Sequence, residues 1–393
     1  MDILIIANFI TEFKSDGTSR FIYIAEKLSQ EHNVELITSN FDHRNKQKRK
    51  EIVYDLPFEV TMLPEFAYKK NVSLKRFFSH SYFGKQVKKY LKLRKKPDVI
   101  YCAVPSLDCA YYAGKYAKKN NIKFIIDIQD LWPEAFKMVL PVSKIGDFIF
   151  LPMKIQANMI YSYANAIVGV SETYCDRAYE VNKNNADCLS VFLGTQLKVF
   201  DNNVKENKVI KDNNKFVLGY CGTLGHSYDI KCVLDAMIIL KEKGYNNISF
   251  WIIGDGPLRS TFESYAREKE LDAVFYGLVP YEKMCGLLAS CDVCINPIIG
   301  TSVASIINKH GDYAAVGLPV INTQSSCEYR ELIEAYHCGI NCEPSNPKEL
   351  SEAIEYLITH KDERLYMGKQ SRILAEEKFD RDVTYQRIID VIT

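Results

Sequence analysis

Residues 308–322 read "NKHGDYAAVGLPVIN": a basic, glycine-containing opening, one carboxylate at Asp312, small apolar residues, then a Gly-Leu-Pro-Val-Ile run with the composition of a buried strand. Working outward, such apolar runs alternate with longer amphipathic ones, the pattern of repeated βα units around a parallel sheet. In the first half, strands are predicted at Ile3–Ala7, Val34–Thr38, Val99–Cys102, Phe124–Ile128, Ala166–Val170 and Leu189–Phe192, with helices such as Ser19–Gln30 and Leu107–Lys119 between them. A polar, Asn-rich stretch, "FDNNVKENKVIKDNNK" (200–215), reads as an interdomain linker. The pattern then restarts at Phe216–Tyr220, followed by Ser249–Ile253, Val274–Tyr276, Val293–Asn296 and Pro319–Asn322. The expectation is an α/β protein of two Rossmann-like, doubly wound domains, facing each other across a cleft.

A chain of 393 residues is too long for one comfortable core and suits two domains. Hydrophobic content of 47% with 25% charged residues argues against disorder. Net charge is only +1, yet residues 41–96 hold 16 Lys/Arg against 5 Asp/Glu, so one face of the first domain is expected to be basic. No nucleic-acid-binding module accompanies that charge, and no nucleic-acid partner is expected. The start "MDILIIANFITEF" lacks the basic region of a signal peptide, and no apolar run approaches the roughly 18 residues of a membrane span. A cytoplasmic protein is expected. Its twelve Cys, several in apolar runs such as Cys221 and Cys294, then read as reduced core thiols. Cys291 and Cys294, with Cys285 nearby, have no second pair at finger spacing and make a poor zinc site.

In doubly wound sheets, ligands bind at the carboxyl ends of the strands. Four strand-to-helix junctions there carry glycine: Gly17 in "SDGTSR", "GTLGHSYD" (222–229), "GDGP" (254–257) and "NKHGD" (308–312). Bare backbone N–H groups and positive helix ends suit an anion, so a phosphate-bearing ligand is expected. Neither a P-loop nor a complete dinucleotide fingerprint is present, which disfavours ATP hydrolysis and NAD chemistry.

The second half resembles the retaining nucleotide-sugar glycosyltransferases of family 4, which have the two-domain GT-B fold. The resemblance is carried by "FWIIGDGPLRSTFESYA" (250–266), "VFYGLVPYEKMCGLLASCDVCINP" (274–297), "DYAAVGLPVI" (312–321) and the ending "KFDRDVTYQRIIDVI" (378–392). In the first half, "FIIDIQDLWPEAF" (124–136) is similar to the Asp-Leu-Trp-Pro-Glu signature of a subgroup that builds capsules and O-antigens, near the N-acetylfucosaminyltransferases. The domains implied are an acceptor-binding domain at 1–200, a nucleotide-sugar-binding domain at 201–376, and a last helix at 377–393 that returns to the first.

By that resemblance, Asp312 accepts the ribose hydroxyls of the donor nucleotide; the alternative is that it caps the following helix. The family's other site glutamate, which helps hold the donor sugar, falls at Ala304. An N-acetylated or deoxy sugar becomes easier to accept there. Where the family places an Arg and, five residues later, a Lys, this chain has Thr223 and Tyr228. The pyrophosphate must find its charge elsewhere. Lys309 is the first substitute, with Arg259 and His226 behind it; both Lys309 and Arg259 could instead be solvated surface residues. The remaining donor-binding candidates are Gly17, Gly222, Thr223, Gly225, Gly254 and Asn308, with Val279 offering its backbone to the nucleobase edge.

Cleaving the anomeric C–O bond leaves negative charge on the nucleoside diphosphate, which preorganised N–H groups, helix ends and cations can stabilise. Metal-independent transfer from a UDP-sugar, with retention at the anomeric carbon, is expected. Gln129 stands where the family often has a catalytic His. Asp130 and Glu134 are the carboxylates assigned to the acceptor hydroxyl, with a loop contact and a helix-start role as the structural alternatives. "LKRFFSHSYFGKQVKKYLKLRKK" (74–96) suits a helix with an apolar stripe and a basic rim. Two readings stand: a peripheral contact with the inner face of the cytoplasmic membrane, reaching a polyprenyl-diphosphate-linked glycan acceptor, or a helix packed by its aromatic face on the first sheet. Two further functional classes stay open: a UDP-N-acetylglucosamine 2-epimerase-type enzyme, and a degenerate sugar-nucleotide-binding partner of another transferase.

Overall fold

In the computed structural model the apolar runs pair in parallel. All residues are described except 11–12, 14–18, 50–54, 71–72, 140–147, 185 and 301–304. Two compact units result, one of Met1–Phe192 with Tyr385–Thr393 and one of Leu193–Thr384.

The first unit is built on strands β1 (Asp2–Ile6), β2 (Asn33–Ser39), a small antiparallel pair β3 (Phe41–Asp42) and β4 (Gln47–Lys48), then β5 (Glu59–Leu63), β6 (Val99–Val104), β7 (Lys123–Ile128), β8 (Ala166–Gly169) and β9 (Asp187–Ser190). Seven of these form one parallel sheet in the order β5-β2-β1-β6-β7-β8-β9. Chain direction across the sheet reverses between β1 and β6, which creates a switch point at their carboxyl ends. Strand β1 is buried on both faces, with Ile3, Leu4, Ile5 and Ile6 all fully covered. That double coverage is why the central strands read as unbroken apolar runs.

The second unit repeats the plan with β10 (Phe216–Cys221), β11 (Ile248–Ile253), β12 (Ala273–Gly277), β13 (Val293–Asn296), β14 (Val320–Asn322) and β15 (Gly339–Asn341), ordered β12-β11-β10-β13-β14-β15. Its switch point lies between β10 and β13. The stretch read as a linker is half helix: Leu197–Glu206 is helical and buries Leu197 and Phe200 within this unit. The division falls between Phe192 and Leu193 instead. At the other end of the chain, the helix Gln386–Ile392 buries Ile388 and Ile392 in the first unit, where Tyr385 meets Tyr23 edge-on at 5.4 Å.

One ion pair sits in the first unit's interior. Arg20 Nε donates to Asp127 Oδ2 at 2.7 Å, with the two side chains 2% and 0% exposed. Tyr101 OH donates to the same oxygen, and Arg20 also donates to the Val191 carbonyl at 2.9 Å. Removing one partner from such a pair strands a buried charge, which typically costs about 3–5 kcal/mol. Asp127→Ala should therefore lower the urea midpoint of the first unit strongly, and Arg20→Met,Asp127→Leu together should recover much of the loss; a single-variant effect under about 1 kcal/mol would overturn this assignment.

Candidate functional site

The helix Asn308–Ala315 answers what Asp312 does locally. Asp312 lies in its fifth position, and the cap is Ile307, so the capping alternative is excluded. Its Oδ1 accepts hydrogen bonds from Tyr281 OH at 2.8 Å and Thr195 Oγ1 at 3.0 Å. Burial pushes its carboxyl above the usual carboxylate range, while those two hydroxyls pull it back. Oδ2 has no hydrogen-bond partner among the described residues and remains free to accept.

Lys309 precedes it by one turn. Its side chain is 8% exposed, and Nζ has no hydrogen-bond partner among the described residues. The ammonium instead lies 4.2 Å from the Tyr220 ring centre and 3.9 Å from that of Tyr228. Tyr228, where the resemblance implies a lysine, thus offers a ring face to the cation supplied by position 309. Burial pushes Lys309 down to about 7. Gly222 closes the same corner: its φ is +147°, and a Cβ there would stand 2.7 Å from Lys309 Nζ. Tyr220 OH donates to the Thr223 carbonyl at 2.8 Å, holding the loop. Tyr313 fastens the helix to both central strands, donating to the Ile295 carbonyl at 3.0 Å and accepting from the Cys221 N–H at 3.1 Å.

The structure brings together Lys309, Asp312 and Gly222 of the expected donor residues. Asn308, Thr223 and His226 are exposed, Gly225 is unconstrained, and Val279 is half-buried just before the helix that carries Tyr281. Gly254 has a packing reason to be glycine, since a Cβ there would meet the Gly222 carbonyl at 1.9 Å. Arg259 is committed elsewhere: it donates to Glu263 at 2.7 Å and to the Phe275 carbonyl at 3.2 Å. Gly17 and Ala304 lie outside the described residues. Thr195 and Tyr281, which hold Asp312, were not singled out in the sequence; only the position of Tyr281 at the start of a helix after "GLVP" hinted at it.

In the first unit, Gln129 donates to Asp127 Oδ1 at 2.6 Å and so belongs to the buried Arg20 cluster. Asp130 Oδ2 accepts the Trp132 indole N–H at 3.1 Å, and burial pushes its carboxyl upward. Glu134 is instead paired, its Oε1 taking Arg177 Nε at 2.7 Å. Much of the stripe in the helix Leu74–Leu93 is core: Phe83 and Val87 are fully buried, Leu91 nearly so, and Tyr90 OH donates to Glu35. Leu74 and Phe78 remain 76% and 70% exposed. Among the described residues no helix is long and apolar enough to cross a membrane, and no group of three His, Cys, Asp or Glu could hold a metal. One Asp-x-Asp does occur, Asp380-Arg381-Asp382. It forms a turn, with Asp380 Oδ1 accepting the Asp382 N–H at 3.1 Å and Asp382 pairing with Lys198 at 3.3 Å.

Residues 201–373 match the family model described as glycosyl transferases group 1. The chain is 23% identical over 315 residues to WcaI of Escherichia coli (strain K12), by name a colanic acid biosynthesis glycosyl transferase, covering 76% of this chain and 74% of that one. Among solved structures, Anabaena Alr3699/HepE in complex with UDP aligns with a TM-score of 0.70 at 14% identity, covering 100% of this chain and 99% of that chain. WaaG, a glycosyltransferase involved in lipopolysaccharide biosynthesis, aligns at 0.68 and 15% identity, covering 100% and 99%. The architecture of the two units is that of the GT-B fold. With its group 1 domain, the chain is an enzyme of the glycosyltransferase class.

Because an ordinary lysine titrates near 10.4 and Lys309 near 7, the folded state holds fewer protons than the unfolded state between these values, and this residue's contribution favours folding increasingly as pH rises. Melting wild type and Lys309→Met in parallel at about pH 6.5 and about pH 8.5 should show the difference moving in favour of wild type at the higher pH. A difference that does not change with pH would contradict the burial of an unpaired amine.

Proposed function

We propose that this protein is a retaining glycosyltransferase that moves a sugar, an N-acetylhexosamine or a deoxy derivative, from UDP to a lipid-linked glycan acceptor. The pathway proposed is assembly of a capsule or O-antigen polysaccharide, at the inner face of the cytoplasmic membrane. One observation carries the reading: a half-buried carboxylate, Asp312, stands one helical turn from a buried amine, Lys309, and neither Asp312 Oδ2 nor Lys309 Nζ has a hydrogen-bond partner among the described residues. In this reading Asp312 accepts the ribose hydroxyls, and the diphosphate supplies the anion that Lys309 lacks. The solved HepE complexes with UDP and with UDP-glucose support a UDP-sugar donor, and the naming of WcaI supports polysaccharide assembly.

As the anomeric bond breaks, charge growing on the diphosphate is met by Lys309 and by main-chain N–H groups at the start of the helix Asn308–Ala315. Asp130, with its carboxyl pushed up by burial, serves as proton acceptor for the acceptor hydroxyl; Glu134, paired with Arg177, keeps a positioning role. No metal is assigned to the reaction. Membrane contact is assigned to the exposed residues Leu74, Phe78, Phe148, Ile149, Leu151 and Ile155, and to the lysines around them in the chain.

Thermal melting with UDP, GDP and UDP-glucose, with and without chelator, tests the donor site. UDP should raise Tm selectively, by an amount that grows with concentration and survives chelation. Asp312→Asn should abolish or sharply reduce that shift, at an intrinsic stability cost of about 1–3 kcal/mol from the disturbed Thr195 and Tyr281 bonds. No nucleotide shift in wild type, at any concentration, would leave the reading without its anchor.

A further inference from the structure

The chain passes from the first unit to the second between Phe192 and Leu193, and it returns between Thr384 and Tyr385. On the second unit's side the two crossing segments are bound to each other. Thr195 pairs with Asp380 in a parallel bridge: its N–H donates to the Phe379 carbonyl at 2.7 Å, and its carbonyl accepts the Arg381 N–H at 3.2 Å. Arg381 Nε also donates to the Leu193 carbonyl at 3.0 Å. Gly194 permits this pairing, since its φ is +61° and a Cβ there would collide with the Phe379 carbonyl oxygen. Thr195 and Arg381 are 4% and 5% exposed, so the pairing is interior structure.

The same segments reach the donor carboxylate. Both main-chain groups of Thr195 serve the return segment, and its hydroxyl donates to Asp312 Oδ1 at 3.0 Å. Gly311, the residue before Asp312, lets the helix Asn308–Ala315 close on the crossing: a Cβ there would stand 2.9 Å from Thr195 Oγ1. Burial pushes the Asp312 carboxyl up, and Tyr281, Thr195 and the charge of Arg381 pull it back. One oxygen of Asp312 is therefore gripped by the outgoing segment, while the return segment contributes a cation. The second hydroxyl on that oxygen comes from Tyr281, at 2.8 Å, and the helix Tyr281–Ala289 lies outside both crossing segments. Two donors on Oδ1 restrict the plane of the carboxylate and with it the direction in which Oδ2 can accept.

We propose that Thr195 is a positioning residue of the donor site: it orients Asp312 for the ribose hydroxyls of a nucleoside diphosphate, and through it an occupied donor site fixes the paired crossing segments. The inference rests on the donor reading and deepens it. Ribose hydroxyls donating to Oδ2 favour the ionised carboxylate, and a hydrogen bond to an ionised acceptor is about twice as strong as a neutral one. Ligand binding thus tightens the bond from Thr195 Oγ1. Because the same residue holds the return segment by its N–H and carbonyl, a tighter side chain opposes opening of the bridge. By linkage the converse holds, and a loosened crossing binds the donor less tightly.

Hydrogen exchange of the full chain, with and without saturating UDP, reads this at residues 193–196 and 379–384. UDP should slow exchange there by about 5-fold or more, and by more than in the helix Pro347–Thr359 of the same unit, which carries none of these residues. Thr195→Val should weaken UDP by about 10-fold and abolish the slowing at saturation, whereas Thr195→Ser, which keeps the hydroxyl, should retain both. Tyr281→Phe removes the other hydroxyl from the same oxygen without touching the crossing. It should weaken UDP and, once UDP is saturating, leave the slowing in place. A merely structural role for Thr195 predicts otherwise: faster exchange throughout the unit in Thr195→Val, with the UDP response intact. That outcome, or UDP binding to wild type that leaves the crossing segments unchanged, overturns the inference alone. The wild-type comparison needs no variant, so the test stands even if Thr195→Val folds poorly. Absence of UDP binding to wild type in the thermal melt sinks the donor reading and this inference with it.

Discussion

Burying a helix that begins Asn-Lys-His-Gly-Asp-Tyr obliges the second unit to find a partner for each polar group, because an orphaned buried polar atom costs about 1–3 kcal/mol. Most find one. The His310 ring stacks flat on Tyr329 at 3.4 Å, its Nδ1 accepts the Ile307 N–H, and its Nε2 faces Asn296. Tyr313 bridges β10 and β13, and Asp312 takes two hydroxyls. Among the described residues, Lys309 Nζ, lodged between two rings, has no acceptor, and Asp312 Oδ2 receives no donor. The unit thus satisfies most of the helix's polar groups internally and leaves the Lys309 amine against the faces of Tyr220 and Tyr228.

The same constraint shapes what surrounds the helix. Asn296, Asn322 and Asn341 end three adjacent strands in register, and their amides join edge to edge at 2.8 and 2.9 Å before meeting Glu334. That ladder gives the carboxyl end of the sheet a polar floor without a free charge. On the other side of the switch point, Gly222 and Gly254 let two loops approach closer than any side chain permits, with the Leu224 N–H donating to the Asp255 carbonyl at 3.0 Å. Backbone is thereby brought to the place where Lys309 ends, the arrangement in which main-chain N–H groups can share an anion with a cation.

Much of this was legible in the sequence, for identifiable reasons. Central strands buried on both faces declare themselves as apolar runs, and every predicted strand has a counterpart within a few residues of its expected bounds. The edge strands β5 and β15 were missed: "EVTML" is half-exposed and "GIN" is three residues long, so neither stands out. "FDNNVKE" misled because asparagines mark loops more often than helices; burial of Leu197 and Phe200 against the second unit overrides that preference. Asp312 was recognisable by its place before a buried strand, but Thr195 and Tyr281 are 117 and 31 residues away from it, beyond the reach of any local pattern. The depth of Lys309 was equally hidden, since lysine is ordinarily a surface residue.

The helix Leu74–Leu93 divides into two parts with different surroundings. Its middle is pinned by close packing: a Cβ at Gly84 would stand 2.8 Å from that of Asp108, so this helix and the helix Leu107–Asn120 pack nearly backbone to backbone. Phe83, Val87 and Leu91 follow from that contact and belong to the core. The first turns, ahead of Gly84, are under no such demand. There the same run of aromatic and basic residues places Arg76 and His80 inward among rings and turns Leu74 and Phe78 out to solvent. A stripe average over the whole helix blurs these two regimes: the packed reading holds for its middle, and the first turns carry apolar side chains that packing does not account for.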